Sequence, residues 1–187
     1  MSATGPGPRA DERVDTQAFK DVLAHWASGV TIVTANDEGI VHGMTVSSFS
    51  SLSLEPPLVL VCAFRGSRTR ELIGRSGRFA VNLLAEGQAG LATRFAGRRP
   101  ADESPLEGVA WTAGRGGVPL LPGAAGVLEC TVAATHEEGT HTILIGRVET
   151  AVVDPATRPL VYWERDFRRL ELADSGDGTT SSTRSST

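Results

Sequence analysis

The sequence predicts a mainly β fold with some helix (α+β), a closed or partly closed antiparallel barrel with a few flanking helices. Three observations carry this. Segments rich in Val, Ile, Leu and Thr recur along the chain, and turn-forming residues bound them. Two polar tetrads, Asn36-Asp-Glu-Gly39 and His136-Glu-Glu-Gly139, read as hairpin turns. The strand–helix–strand rhythm of a parallel sheet does not occur, and closing an antiparallel sheet removes its exposed edges.

The elements follow in order. Asp15 to Ser28 predicts a helix, because Phe19, Val22, Leu23 and Trp26 make one apolar stripe at helical spacing. Asp15 or Thr16 can cap its start and Gly29 can end it. Val30 to Thr34 is β-branched throughout and predicts a strand. Ile40 to Ser47 returns from the first turn, and Pro56-Pro57 reads as a sharp stop. Leu58 to Phe64 reads as a strand apolar on both faces. Ser67 to Gly77 predicts a short helix, Arg78 to Leu84 a strand, and Glu86 to Phe95 another helix. Gly97 to Gly123 reads mostly as loop. Two long strands, Gly126 to Thr135 and Thr140 to Val153, flank the second turn. A pair near Leu160–Trp163 and Phe167–Leu170 closes the domain. Residues 15–171 form one domain; residues 1–14 are expected as a disordered N-terminal arm and 172–187 as a disordered, solvated tail.

Composition narrows the function classes. At 187 residues the chain is long enough for a substantial core. A formal charge of −4 gives no basic footprint for nucleic acid. No apolar run reaches the roughly 18 residues of a membrane span, and no secretory h-region is visible. Cys62 and Cys130 sit in apolar segments and read as buried thiols in a reducing cytosol, so a cytoplasmic location is expected.

The segment Gly43 to Pro57 carries most of the functional signal. It packs six hydroxyl side chains into eleven residues and runs into the apolar strand Leu58 to Phe64. That density of alcohols and backbone N–H groups suits a planar, polar-edged heterocycle bearing a phosphate. It also suits the wet face of a barrel strand. Ser67-Arg-Thr69, at a predicted helix start, adds hydroxyls and a guanidinium to free backbone N–H groups, which makes a workable phosphate site.

Other motifs carry less. Gly5-Pro-Gly-Pro-Arg-Ala10 matches the dinucleotide pattern, yet it follows no strand and opens no helix. His136 and His141 flank two glutamates at a turn without zinc-protease spacing, so no metal is expected. His141 begins a strand, either half-exposed or pointing into the barrel mouth. Arg94-Phe95 reads as a helix-terminal charge on a core aromatic or as cover for a cofactor edge. The sequence offers no nucleophile elbow or paired carboxylates; hydride transfer needs neither, only two rings stacked at the right distance.

Taken together, these motifs resemble the flavin reductase-like family, in particular the reductase components of two-component flavin-dependent monooxygenases. The marks are Trp26 to Thr34, the Gly43–Pro57 signature with Leu58 to Cys62, Ser76 to Leu84, Leu91 to Phe95, Gly139-Thr-His141 with Ile145-Gly146, and Pro159 to Tyr162. The resemblance implies a homodimeric antiparallel split β-barrel that passes hydride from NADH to FAD, with FMN also accepted. Reduced flavin then diffuses to a separate oxygenase, in aromatic or antibiotic metabolism. Met44, Thr45, Ser47 and Ser48 are implied along the isoalloxazine edge, with Val46 in the same set. Cys62, Ala63 and Phe64 are implied at the ring and ribityl chain, and Ser67, Arg68 and Thr69 at the phosphate. Arg94 and Phe95 are implied on the rest of the flavin, His141 as the catalytic-site residue where nicotinamide docks, and Tyr162 near the site. The chain departs from the family at Tyr162-Trp-Glu-Arg-Asp-Phe167, where bulky charged residues replace a glycine, and at Thr140, where an aspartate is usual. The competing readings are a non-enzymatic flavin store or redox sensor of the same fold, and a pyridoxamine phosphate oxidase.

Overall fold

A computed structural model describes residues 14–97 and 103–171. The arm and tail expected at the two ends lie outside the described residues, apart from Val14, as does the Gly5–Ala10 motif. A seven-stranded, wholly antiparallel sheet dominates. Its strands are β2 (Thr31–Asp37), β3 (Ile40–Val46), β4 (Phe49–Leu54), β5 (Pro57–Phe64), β6 (Arg78–Leu83), β9 (Gly126–Glu138) and β10 (His141–Val153). They lie side by side in the order β3-β2-β6-β9-β10-β5-β4. The two outermost strands, β3 and β4, are consecutive in the chain and joined only by Ser47 and Ser48. Such a short link forces the sheet to curl until its edges meet. The result is a barrel split along one seam, with the hydroxyl link at the seam.

Smaller elements surround the barrel. β1 (Ser28–Gly29), β11 (Val161–Trp163) and β12 (Asp166–Arg168) form a three-stranded sheet. β7 (Thr112–Ala113) and β8 (Pro119–Leu120) form a small hairpin within the segment expected as loop. Helix α2 (Arg68–Ser76) is capped by Ser67, whose Oγ accepts from Arg70 N, and ends at Gly77 in the left-handed region (φ 67°). Leu72 and Ile73 of α2 join the barrel core with Val33, Val61, Phe79, Val81 and Leu144. Helix α3 (Ala89–Ala96) covers a second core, in which Ala92 and Phe95 meet Ile32, Leu84 and Leu160. β2 is therefore buried on both sides: alternation sends Val33 and Ala35 inward and Ile32 outward beneath α3. No described helix is long and apolar enough to cross a membrane.

Several expectations need correction. The first helix, α1, spans only Thr16–Ala24; Asp15 caps it through Gln17 N and Ala18 N, and Ser28–Gly29 leave it to pair with β11. Its stripe is not core. Phe19, Val22, Leu23 and Trp26 are 55, 70, 53 and 76% exposed. Pro56-Pro57 is not a stop: Glu55-Pro56 is a two-residue turn between β4 and β5, and Pro57 opens β5 opposite Leu54. The sequence reading missed β4. β5 alternates between buried Val59, Val61 and Ala63 and the half-exposed Leu58, Leu60 and Cys62, so only one face is core. His136 and Glu137 belong to β9, and the turn is Gly139-Thr140. The cysteines are both free thiols, but only Cys130 is buried.

Candidate active site

The seam opens into a cleft of about 660 Å³, within the roughly 300–1,000 Å³ of small-molecule sites. β3 supplies His42 to Val46, the seam link supplies Ser47 and Ser48, and β5 supplies Cys62 and Phe64. The start of α2 adds Gly66, Ser67 and Arg68, α3 adds Phe95 and Ala96, and β10 adds His141. Segments distant in sequence thus converge because the barrel fails to close there.

Many polar groups in the cleft are already fixed. Thr45 Oγ1 donates to Ala92 O at 2.7 Å, tying β3 to α3. Ser48 Oγ donates to Cys62 O at 3.0 Å, and Cys62 N donates to Ser48 O at 3.2 Å, stitching the link to β5. Thr69 also lines the cleft, deeply buried, with its hydroxyl 2.9 Å from His42 Nδ1. Among the described residues the Ser47 hydroxyl has no such bond and is free to meet a ligand. Gly43 lies under the Phe95 ring: a Cβ there would stand 2.8 Å from Phe95 Cε1. The missing side chain lets the ring approach β3 closely.

Two adjoining groups of different chemistry line the cleft, linked by Ser67 N donating to Phe64 O at 3.0 Å. In the first, Ser67 and Arg68 open α2, whose first-turn N–H groups have no helical partner. Arg68 Nη1 donates to Glu71 Oε2 at 2.6 Å, and that guanidinium, chiefly, holds the Glu71 carboxyl below the usual carboxylate range. In the second, His141 and Phe64, paired across β10 and β5, meet edge to face with centroids 6.0 Å apart at 70°. His141 Nδ1 is hydrogen-bonded to Thr140 Oγ1 at 2.9 Å, so the residue that replaces the expected aspartate still orients the ring. Glu137 holds the hairpin against the α2 loop, accepting from Arg70 Nη2 at 2.6 Å and pairing with Arg65 at 3.4 Å.

Three residues singled out from the sequence lie elsewhere. Ala63 points into the barrel core, since strand alternation separates it from Cys62 and Phe64. Arg94 turns away from the cleft and donates to the carbonyls of Pro105 and Glu107; Pro105 then forms part of the cleft wall. Tyr162 packs on Phe167 at 5.5 Å, beside the second core. His42 was missed. Its signal was its place two residues before Met44 on one strand, hence on the same face. Cys130 plays no part in the cleft: burial, then the charges of Glu149 and Glu129, push its thiol up to about 12. No group of three or more candidate metal ligands occurs among the described residues.

Comparison with known proteins agrees with this architecture. The reductase subunit HsaB of a flavin-dependent monooxygenase from Rhodococcus jostii is 38% identical over 168 residues, covering 90% of this chain and 85% of HsaB. An NADH-dependent flavin reductase from a Rhodococcus species is 42% identical over 165 residues, covering 87% and 90% of the two chains. Among solved structures, the NADH:FAD oxidoreductase SgcE6 of Streptomyces globisporus superposes with a TM-score of 0.80 at 34% identity, covering 89% of this chain and all of that one. SgcE6 has also been solved with NAD and FAD fragments. Residues 23–171 match the family described as flavin reductase like domain, and the chain belongs to that family.

Proposed function

We propose that this protein is an NADH:flavin oxidoreductase that supplies freely diffusing reduced flavin to a partner monooxygenase in aromatic or natural-product metabolism. FAD is the preferred flavin and FMN is accepted. The observation that carries the reading is the seam cleft, lined by a cationic helix start and, beside it, a histidine–aromatic pair. The donor set fits a flavin: hydroxyls and backbone N–H groups for a polar-edged ring, Met44 and Phe95 for its faces, Ser67 and Arg68 for phosphate. When bound, flavin accepts at N5 the hydride leaving C4 of NADH and takes one proton from solvent, yielding reduced flavin and NAD⁺. The protein's task is to hold two rings in contact and to exclude water. Ser47 hydrogen-bonds the polar edge of the ring, where donors stabilise the charge that builds on reduction. His141, oriented by Thr140, positions the nicotinamide. Contacts made by small hydroxyls and one arginine leave the flavin free to depart.

The assembly is a homodimer, a reading supported by the outward-facing apolar stripe of α1. The decisive experiment mixes purified protein with NADH and either FAD or FMN and follows the NADH absorbance. Flavin-dependent oxidation is expected. Tight, stoichiometric flavin with no NADH loss would instead make the protein a flavin store.

A further inference from the structure

Arg68 is the one guanidinium lining the cleft among the described residues, and it does not act alone. Its Nη1 donates to Glu71 Oε2 at 2.6 Å, one turn along α2. The other oxygen of that carboxylate, Oε1, accepts from Arg75 Nη2 at 2.5 Å, one further turn along. Arg75 does not line the cleft; it reaches back towards Asp37 Oδ2, 3.9 Å away on β2. A single carboxylate is thus shared between a guanidinium facing the cleft and one behind it.

We propose that Glu71 sets the affinity for flavin phosphate by competing with it for Arg68, and that Arg75 is the standby partner that keeps Glu71 paired when the phosphate takes Arg68. This rests on the flavin reading above and supplies a reason for weak binding. An incoming phosphate exchanges one charge-assisted hydrogen bond on Arg68 for another, so only the difference between them appears as affinity. Arg75 eases the exchange, because the displaced carboxylate remains paired. Without Arg75 the full charge of Glu71 would rest on Arg68 and the competition would stiffen. The two substitutions therefore act in opposite directions, although neither residue need touch the flavin. The Glu71 side chain is 43% exposed, so each effect is modest, roughly two- to five-fold.

The test is a titration of FMN and of riboflavin, which lacks the phosphate, onto wild type, Glu71→Gln and Arg75→Gln at one low ionic strength. FMN is expected to bind roughly two- to five-fold tighter to Glu71→Gln and weaker by a similar factor to Arg75→Gln. Riboflavin affinity stays unchanged in both, which also shows that both variants are folded. Unchanged or weakened FMN binding in Glu71→Gln overturns the proposal, as does a riboflavin shift equal to that of FMN. Failure of the flavin reading looks different: wild type then binds neither compound.

Discussion

His141 stands where a strand begins, a hairpin turns and the cleft opens, and each circumstance fixes its ring. Register sets it opposite Phe64, and Thr140 holds Nδ1. In the proposed reaction, a ring so held would wall the nicotinamide stacked beside it. His141→Ala is expected to slow hydride transfer on the order of ten- to a hundredfold, the loss typical of misplaced reactants. Flavin affinity should change far less. Stopped-flow reduction alongside flavin titration separates the two, and equal losses would move His141 into the flavin shell. At this scale the sequence was legible in the membership of the cleft, which Ser47, Arg68 and His141 all line. It was illegible where a side chain's direction decided the matter. Ala63 sits between two cleft residues in sequence and faces the opposite way, and Arg94 spends its donors on the carbonyls of a neighbouring loop. His42 and Glu71 were passed over because each matters only through a partner, Thr69 or Arg68, brought near by folding.

At the scale of elements, the strands that a hydrophobic run defines were readable, and those defined by pairing were not. β4 carries three serines and ends before a proline pair, so nothing in its composition marks a strand; β5 makes it one by pairing along Phe49 to Leu54. β9 continues through His136, Glu137 and Glu138 because β10 pairs with each of them. The β11–β12 turn shows the converse, a turn whose residues resist it. Trp163 pairs with Asp166, leaving Glu164 and Arg165 as the two turn residues with φ of 49° and 60°. Such turns favour Asn or Gly, since a Cβ in the left-handed region costs roughly 1–2 kcal/mol. The turn is held by Glu164 N donating to Ala24 O at 2.8 Å and by Arg165 Nη2 donating to Asp21 Oδ1 at 2.5 Å. Glu164→Asn keeps both bonds and relaxes the strain. It is expected to raise stability by up to about 1 kcal/mol, visible as a higher urea midpoint at unchanged slope. A lowered midpoint would show that the exposed Glu164–His25 pair, at 3.5 Å, outweighs the strain.

For the whole molecule, α1 turns its apolar stripe away from both cores. An amphipathic helix on a globular surface normally lays its apolar stripe on the core and shows its polar face to water. Here the polar side makes the contacts with the rest of the chain, through Asp21 to Arg165, His25 to Glu164, and Ala24 O to Glu164 N. No residue of the helix is buried, while Phe19, Val22 and Leu23, with Trp26 just beyond, face outward. Exposed apolar surface this concentrated marks an interaction site. A second copy of the chain is the occupant that the family resemblance implies, and a symmetric pairing would cover both stripes at once. Light scattering on the wild type at micromolar concentration should therefore give twice the chain mass. Trp26→Glu, which places a charge in the stripe without touching either core, should return it to the mass of one chain. A wild type already monomeric, or a variant still dimeric, would mean that α1 does not hold two copies together.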